Sequence, residues 1–291
     1  MKNKMKEQIY SIENENFYPS HIFDCGQCFR WKKQADEDYT GVFGNNVLNV
    51  KREENKIIFK GICDGDIKQI VDHYFDMQTD YDKIKDVLRK KDRYLAASIE
   101  YGKGIRILNQ DLWEMIISFI ISANNNIPRI QKIIENLSKE YGNEIIWNNT
   151  TYYTFPEPNS LKQASIEDLR KLGLGFRDKY IYETTKRICN GDIDLDKLNK
   201  IEDTKEIKKI LESMPGIGPK VADCIILFGM HRFNVFPVDV WVRRVMNELY
   251  IKNEDETKVK RQEIENFANK TYGDLAGMAQ QYLFYWKRET A

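Results

Sequence analysis

The sequence has no excess of charge of either sign and no long apolar run. Lys and Arg together number 45, as do Asp and Glu, so no overall basic field exists, although a local basic groove is compatible with this balance. The longest apolar stretch, residues 113–123, contains Glu114 and is too short to span a bilayer. The first ten residues, MKNKMKEQIY, lack the apolar segment of a signal peptide. We therefore expect neither export nor a membrane span.

Cysteine is also scarce, and its spacing excludes a disulfide framework. The five cysteines are odd in number and irregularly placed, which indicates a reduced, intracellular protein, in the cytoplasm or nucleoid if the host is bacterial. Cys25 and Cys28 form a CxxC pair. A zinc or redox site would need a second pair or a thioredoxin-like context, and the sequence has neither. We predict no metal there; on its own the segment reads as a turn at a strand edge.

The order of the patterns predicts an α+β fold. Residues 8–62 hold a partly alternating run at 47–51 and an apolar run at 57–59, each preceded by turn residues, which predicts β-strands. From about residue 66 apolar residues recur with helical period, and a weak strand signal returns only at 152–155. We expect an N-terminal antiparallel β-sheet domain (1–105) packed on a larger, all-α region (106–291). One predicted helical stripe is Tyr81, Ile84, Val87 and Leu88.

Residues 211–241, LESMPGIGPKVADCIILFGMHRFNVFPVDVW, contain the most specific pattern. Pro215, Gly216, Ile217 and Gly218 predict a tight hairpin between two helices, with Pro219 as the first residue of the second. A helix start exposes amides and a partial positive charge, so this turn suits a phosphate. The same charge should push Lys220 towards the neutral amine, which can attack an electron-poor carbon. A lysine at a helix start is, however, most often solvated surface.

Two carboxylates compete as the partner of Lys220. Asp239 follows it by nineteen residues, in the sequence Val-Asp-Val before another helix, where an aspartate is often only an N-cap. Asp223 and Cys224 lie three and four residues after Lys220 and share its helix face. From the residues alone, Asp223 remains the rival acid.

The combination of hairpin, lysine and PVD resembles the 8-oxoguanine DNA glycosylase family of helix-hairpin-helix DNA glycosylases. The resemblance implies a helix-hairpin-helix over about 203–228 and a catalytic loop over about 229–241. It implies a bifunctional DNA glycosylase and AP lyase, in which Lys220 forms a Schiff base and Asp239 is the catalytic acid. Cys224 would lie against one face of the extruded base. The absence of cysteine after Cys224 excludes the iron–sulfur cluster of the endonuclease III relatives, and the lysine separates the chain from the monofunctional alkyladenine branch.

Two further segments acquire a role in the base pocket through this resemblance. In Phe23–Trp31, the carbonyl of Gly26 would accept the N7 proton that 8-oxoguanine has and guanine lacks. In the C-terminal segment 275–284, Gln280 would bond the Watson–Crick edge and Phe284 would stack on the base. These two residues are four apart and share a helix side, a pattern that usually signals core packing.

The remaining matches concern DNA. The triple asparagine at 124–126 is typical of a helix C-cap and loop, whereas the resemblance implies that Asn124 fills the hole left by the base and that Arg129 reads the opposite cytosine. The resemblance also assigns DNA contacts to Phe176 and Arg177 in a second glycine-bounded turn, and to the hairpin glycines. Three residues depart from the animal pattern: Phe176 for tyrosine, Trp241 for the phosphate-binding histidine, and Phe228 for a pocket methionine.

The expected partner is double-stranded DNA containing 8-oxoguanine, bound by a monomer without any membrane association. The resemblance implies no cofactor, apart from a monovalent or calcium ion that would bridge the hairpin and a DNA phosphate. The alternative function, from a different class, is a non-catalytic helix-hairpin-helix DNA-binding module.

Overall fold

The structure, a computed structural model, describes residues 6–290. Residues 1–5, in the segment predicted not to be a signal peptide, and residue 291, at the end of the predicted helical region, lie outside the described residues. In the described part of the chain, no helix is long and apolar enough to cross a membrane. The boundary between residues 105 and 106 stays a prediction.

An antiparallel sheet forms the N-terminal part, with strand order β1-β5-β4-β3-β2. Its strands are β1 Glu7–Glu13, β2 Trp31–Ala35, β3 Asp38–Phe43, β4 Asn46–Glu53 and β5 Lys56–Ile62. Alternation explains the sheet, because Ile57 and Phe59 on β5 are fully buried while the residues between and beside them are more exposed. The predicted strand region is confirmed, except that helix α1 (Pro19–Phe23) interrupts it. Pro19 provides the fixed φ of a first helical turn.

Helices make up most of the remaining chain. In order they are α2 Ile67–Tyr74, α3 Tyr81–Arg89, α4 Arg93–Tyr101, α5 Leu112–Ser122, α6 Ile127–Tyr141, α7 Pro158–Leu161, α8 Ile166–Lys171, α9 Asp178–Cys189, α10 Leu195–Lys200, α11 Thr204–Glu212, α12 Pro219–Gly229, α13 Val240–Met246, α14 Arg261–Tyr272 and α15 Ala276–Thr290. A small hairpin, β6 Glu144–Trp147 and β7 Thr150–Tyr153, follows α6. The predicted α+β fold is confirmed, with this hairpin added to the helical part.

Two large buried clusters divide the core. One lies between the sheet and α1 and α2; the other joins the helices from α3 to α15. The predicted stripe of α3 is wrong at Val87, whose side chain is 48% exposed, whereas the aliphatic stem of Lys85 is buried and its ammonium lies 2.6 Å from Asp82. Long cationic side chains can cover apolar surface in this way. α5 and α12 pack against each other within the helical cluster and carry the residues of the site described next.

Candidate active site

The hairpin between α11 and α12 forms as predicted. The Ile217 amide donates to the Met214 carbonyl at 3.2 Å, and both side chains are buried under the turn. Gly216 has a φ of +81°, a left-handed conformation that glycine adopts without cost. The first α12 backbone bond runs from Ala222 to Gly218 at 2.9 Å. The preceding amides belong to the first turn, where N–H groups have no partner within a helix and can bind an anion.

Lys220 reaches from the start of α12 onto an aromatic surface. Its Nζ atom lies 5.8 Å from the centroid of the Phe119 ring of α5. That ring stacks on Phe228 of α12, with centroids 5.6 Å apart and planes at 15°, and meets the Phe29 ring nearly edge-on. The lysine is therefore half-buried rather than a solvated surface residue. Phe228, which departs from the family pattern, is part of this aromatic surface.

The prediction of a neutral lysine is wrong. The pKa of Lys220 lies above its ordinary value, because the Cys224 sulfur, one helical turn later, and the Asp239 carboxylate favour the ammonium more than burial disfavours it. Burial in turn raises the pKa of the Cys224 thiol. The helix dipole alone was the basis of the prediction, and these neighbouring groups outweigh it.

Asp239 is both an N-cap and a neighbour of the lysine. Its Oδ1 accepts a hydrogen bond of 2.7 Å from the Val242 amide at the start of α13. Its charge also raises the pKa of Lys220 and Cys224, so the three side chains lie within electrostatic range of one another. The cap fixes the carboxylate at this position, because any rotation of the Asp239 side chain would leave the Val242 amide without its hydrogen-bond acceptor.

Asp223 belongs to a different set of contacts. Its carboxylate is 1% exposed, lies 2.7 Å from Lys208 Nζ and also contacts Arg261 of α14. Burial raises its pKa to about 6, and the two cations oppose this rise. The rival carboxylate therefore connects α11, α12 and α14 instead of facing Lys220.

The predicted base-pocket residues of the N- and C-terminal segments come together. A Cβ atom on Gly26, whose φ is +86°, would lie 3.5 Å from Cε1 of Phe284, so loop and helix α15 meet there. Gln280 is 5% exposed, and its Oε1 lacks a hydrogen-bond partner among residues 6–290. Its neighbour Gln281 donates to the Cys25 carbonyl at 2.5 Å and so fixes the loop.

The CxxC segment is held in place by the side-chain amide of Gln27. Gln27 is fully buried; its Nε2 donates to the Arg106 carbonyl at 2.7 Å, and its Oε1 accepts from the Leu108 amide at 2.9 Å. All five cysteines are free thiols, and burial raises the pKa of Cys25 to about 11. In residues 6–290, no three His, Cys, Asp or Glu side chains are grouped as a metal site would require.

The triple asparagine forms the predicted loop at the end of α5 and also begins α6. α5 ends at Ser122 with Ala123 as its cap residue, and Nδ2 of Asn125 donates to the Ile121 carbonyl in its last turn at 3.0 Å. Asn126 caps the following helix through a 3.0 Å bond from the Arg129 amide. Asn124 is exposed with a φ of +50°. Its backbone is held from below by Arg177, which donates to the carbonyls of Ala123 at 2.9 Å and Asn124 at 2.8 Å.

The residues predicted to contact DNA thus differ in exposure. Phe176 is 56% exposed and its ring lies 4.3 Å from the Arg177 guanidinium, whereas Arg177 is 2% exposed. Arg129 is exposed. The structure places Arg177 as a support for the asparagine loop, and leaves Phe176, Arg129 and Asn124 at the surface. Trp241 is half-buried, and its Nε1 has no acceptor in the described part of the chain.

Sequence reasoning missed Phe119, Gln27 and Gln281. Phe119 sits inside a continuous apolar run that looks uniformly like core. The two glutamines lie beside residues that were selected, Gly26 and Gln280, so a signal existed only in their adjacency.

Comparison with known proteins identifies the family of the chain. The family model of the 8-oxoguanine DNA glycosylase N-terminal domain matches residues 9–116, and that of the HhH-GPD superfamily of base excision DNA repair proteins matches residues 117–270. The chain is 30% identical to the N-glycosylase/DNA lyase OGG1 of Arabidopsis thaliana, over 96% of this chain and 82% of that protein. It is 31% identical to the N-glycosylase/DNA lyase of Saccharomyces cerevisiae, over 82% and 70%.

Solved structures indicate the same family. The Clostridium acetobutylicum 8-oxoguanine glycosylase/lyase, in complex with duplex DNA containing cytosine opposite 8-oxoguanine, superposes with a TM-score of 0.90 at 38% identity over 99% of both chains. The family predicted from the hairpin, lysine and PVD motifs is thereby confirmed. The chain belongs to the 8-oxoguanine DNA glycosylase family, within the helix-hairpin-helix superfamily of base excision repair proteins.

Proposed function

We propose that this protein, by its family a DNA glycosylase and AP lyase of base excision repair, excises 8-oxoguanine from duplex DNA by Schiff-base catalysis at Lys220. The observation that carries the proposal is the position of Lys220. Its amine lies at an anion-binding helix start, over the Phe119 ring and within the field of Asp239. A nucleophile beside a fixed carboxylate and a phosphate site suits attack on a nucleotide sugar.

The chemistry begins with loss of a proton from the Lys220 ammonium to water. The Nζ lone pair then forms a bond to C1′ of the sugar, and the C1′–N9 bond breaks with its electrons passing to the base, which takes up a proton from water as it leaves. The negative charge of Asp239 stabilises the positive sugar that develops. Ring opening converts the C1′–Nζ bond to a Schiff base, and removal of a C2′ proton expels the 3′ phosphate by β-elimination.

Recognition follows from the two faces of the site. The hairpin amides and α12 start bind a backbone phosphate, and the base leaves the stack at a cost of a few kcal/mol. Cys224 and Phe284 contact the two faces of the base. Gln280 offers its unpaired Oε1 to the Watson–Crick edge. The Gly26 carbonyl accepts a hydrogen bond from N7–H. The exposed Asn124 and Phe176 occupy the gap in the duplex, and Arg129 reads the opposite base.

An ion bridge and the state of assembly belong to the same proposal. Backbone carbonyls of the hairpin are hard oxygen ligands of the kind that calcium and monovalent ions prefer, and such an ion would join the turn to a phosphate. The proposed acting form is a monomer. A chromosomal substrate supports an intracellular location, with the nucleoid if the host is bacterial.

Borohydride trapping on an 8-oxoguanine duplex tests the proposal against the non-catalytic module. The wild type should give a covalent protein–DNA product and a nicked strand. Lys220→Gln should give neither while binding the lesion duplex nearly as well, and Lys83→Gln, at an exposed lysine of α3, should behave as the wild type. Excision by Lys220→Gln at the wild-type rate would overturn the covalent mechanism, and binding without trapping by the wild type would favour the module.

A further inference from the structure

Arg288 extends from helix α15 back to the loop that contains Gly26. It lies four residues after Phe284, on the same side of the helix, and its guanidinium is 5.2 Å from the centroid of the Phe284 ring. Its Nη2 donates to the Asp24 carbonyl, and its Nε bonds Glu289 at 2.9 Å. The guanidinium thus occupies the junction between the stacking ring and the loop.

One nitrogen of this guanidinium lacks an acceptor. Nη1 is buried and has no hydrogen-bond partner among the described residues 6–290. It would lie 3.5 Å from a Cβ atom on Gly26, the same distance as Cε1 of Phe284. A buried N–H of a charged group without an acceptor is unfavourable, so the position calls for an acceptor supplied when a ligand enters between the loop and the ring.

The structure of an 8-oxopurine supplies such an acceptor in the correct place. Its N7–H donor and its O8 acceptor are on adjacent ring atoms, so the group that bonds N7–H must have the O8 atom beside it. We propose that Arg288 is a specificity residue, whose Nη1 donates a hydrogen bond to O8 while the Gly26 carbonyl accepts the N7 proton. This inference rests on the proposed function and extends it to a second reading contact.

The contact adds discrimination that stacking cannot provide. Guanine carries a C8–H in place of O8, so Nη1 would remain unpaired, and the bond from a charged donor is lost. Phe284 stacks on either base alike. The loop is already bonded to α15 through Gln281 and through Nη2 of Arg288, so Nη1 is the part of Arg288 not needed to hold it.

A binding cycle distinguishes recognition of O8 by Arg288 from structural support of the loop that contains Gly26. In the Lys220→Gln background, dissociation constants are measured for duplexes containing 8-oxoguanine or 8-thioxoguanine, with Arg288 and with Arg288→Met. The thioxo base keeps N7–H but replaces O8 by sulfur, a weak acceptor. We expect Arg288→Met to weaken binding of the oxo duplex by about ten- to hundredfold and that of the thioxo duplex by less than about threefold.

Further variants and substrates make each result interpretable. Arg93→Met, at an exposed arginine of α4, should leave both constants unchanged, and Arg288→Lys should restore part of the preference for the oxo base. Equal losses on the two lesions would show that Arg288 only supports the loop and would overturn the inference. If the protein with Arg288 binds neither lesion better than undamaged duplex, the proposed function itself fails.

Discussion

The carboxylate of Asp223 lies 2.7 Å from the Nζ atom of Lys208. Lys208 is on the first helix of the hairpin and Asp223 is on the second, so the pair ties the two helices together from within. Arg261 contacts the same carboxylate from α14. The pairing holds Asp223 against Lys208 and Arg261, and Asp239 is the carboxylate whose charge raises the pKa of Lys220.

The two aspartates should therefore respond differently to the same substitution. Asp239→Asn keeps an N-cap oxygen but removes the charge that stabilises the sugar cation, so single-turnover excision of 8-oxoguanine should slow by about a hundredfold or more. Asp223→Asn keeps an acceptor for Lys208 and Arg261, so the same rate should stay within about threefold of the wild type. The reverse ranking of the two rates would show that Asp223 is the catalytic acid.

The raised pKa of Lys220 predicts how the lyase step depends on pH. Below that pKa the fraction of neutral amine rises about tenfold per pH unit, so Schiff-base formation on an abasic-site duplex should accelerate from pH 6 to pH 9. Asp239→Asn removes one of the charges that favour the ammonium, so the rising limb should move to lower pH, although the limiting rate falls.

Single-turnover trapping at a series of pH values measures this limb, and Asp223→Asn is the matched control that should leave it in place. If the rate of Asp239→Asn rises over the same pH range as that of the wild type, the carboxylate does not stabilise the ammonium.

The sequence was sufficient for the features that depend on local chemistry. The sheet follows from alternation, the hairpin from its glycines and prolines, and the family from residues 211–241. The features that local patterns left open or predicted wrongly depend on residues distant in the chain. The choice between Asp223 and Asp239 required Lys208 and Arg261, and the charge of Lys220 required Asp239 to be nearby.

Some side chains suit more than one position. Asparagine can serve either end of a helix, and here Asn125 bonds the last turn of α5 while Asn126 caps the start of α6. Lysine has a long apolar stem, so Lys85 replaces Val87 on the buried face of α3. Arg288 was not predicted as a site residue for another reason. In the sequence, a charged residue near a chain end looks like solvated surface, and only the fold brings it close to Gly26.

Two arginines near the asparagine loop should have different effects when they are replaced: Arg177 supports the loop, and Arg129 is proposed to recognise the opposite base. Arg177→Met removes the bonds to the carbonyls of Ala123 and Asn124, so excision should fall by about tenfold or more whichever base is opposite the lesion. Arg129→Met leaves the loop in place and removes an exposed guanidinium, so it should change mainly the preference for opposite cytosine. Single-turnover rates with each of the four opposite bases measure both effects. An effect of Arg177→Met confined to cytosine would assign the reading role to Arg177.

Glycine has two separate uses in the hairpin, and they can be tested apart. At Gly216 the φ is +81°, and a Cβ atom would lie 2.6 Å from the Tyr180 ring. Gly216→Ala therefore combines a left-handed backbone with a clash, and should lower the free energy of unfolding by about 2–4 kcal/mol. At Gly218 the φ is negative, and apart from the glycine and its two chain neighbours no atom of the described chain lies within 4 Å of the Cβ position. Gly218→Ala should cost less than about 1 kcal/mol of stability.

When only folded protein is compared, Gly218→Ala should lower the affinity for DNA more than Gly216→Ala does. In the proposed binding mode a phosphate approaches the amides at the start of α12 through the open space at Gly218, so the Cβ of Gly218→Ala should weaken binding to undamaged duplex by about three- to tenfold. Urea unfolding measures the first effect, and fluorescence anisotropy with a labelled duplex at fixed salt measures the second. If Gly218→Ala binds duplex as tightly as the wild type, the phosphate does not approach the hairpin at this glycine, and the anion site must lie elsewhere on the turn.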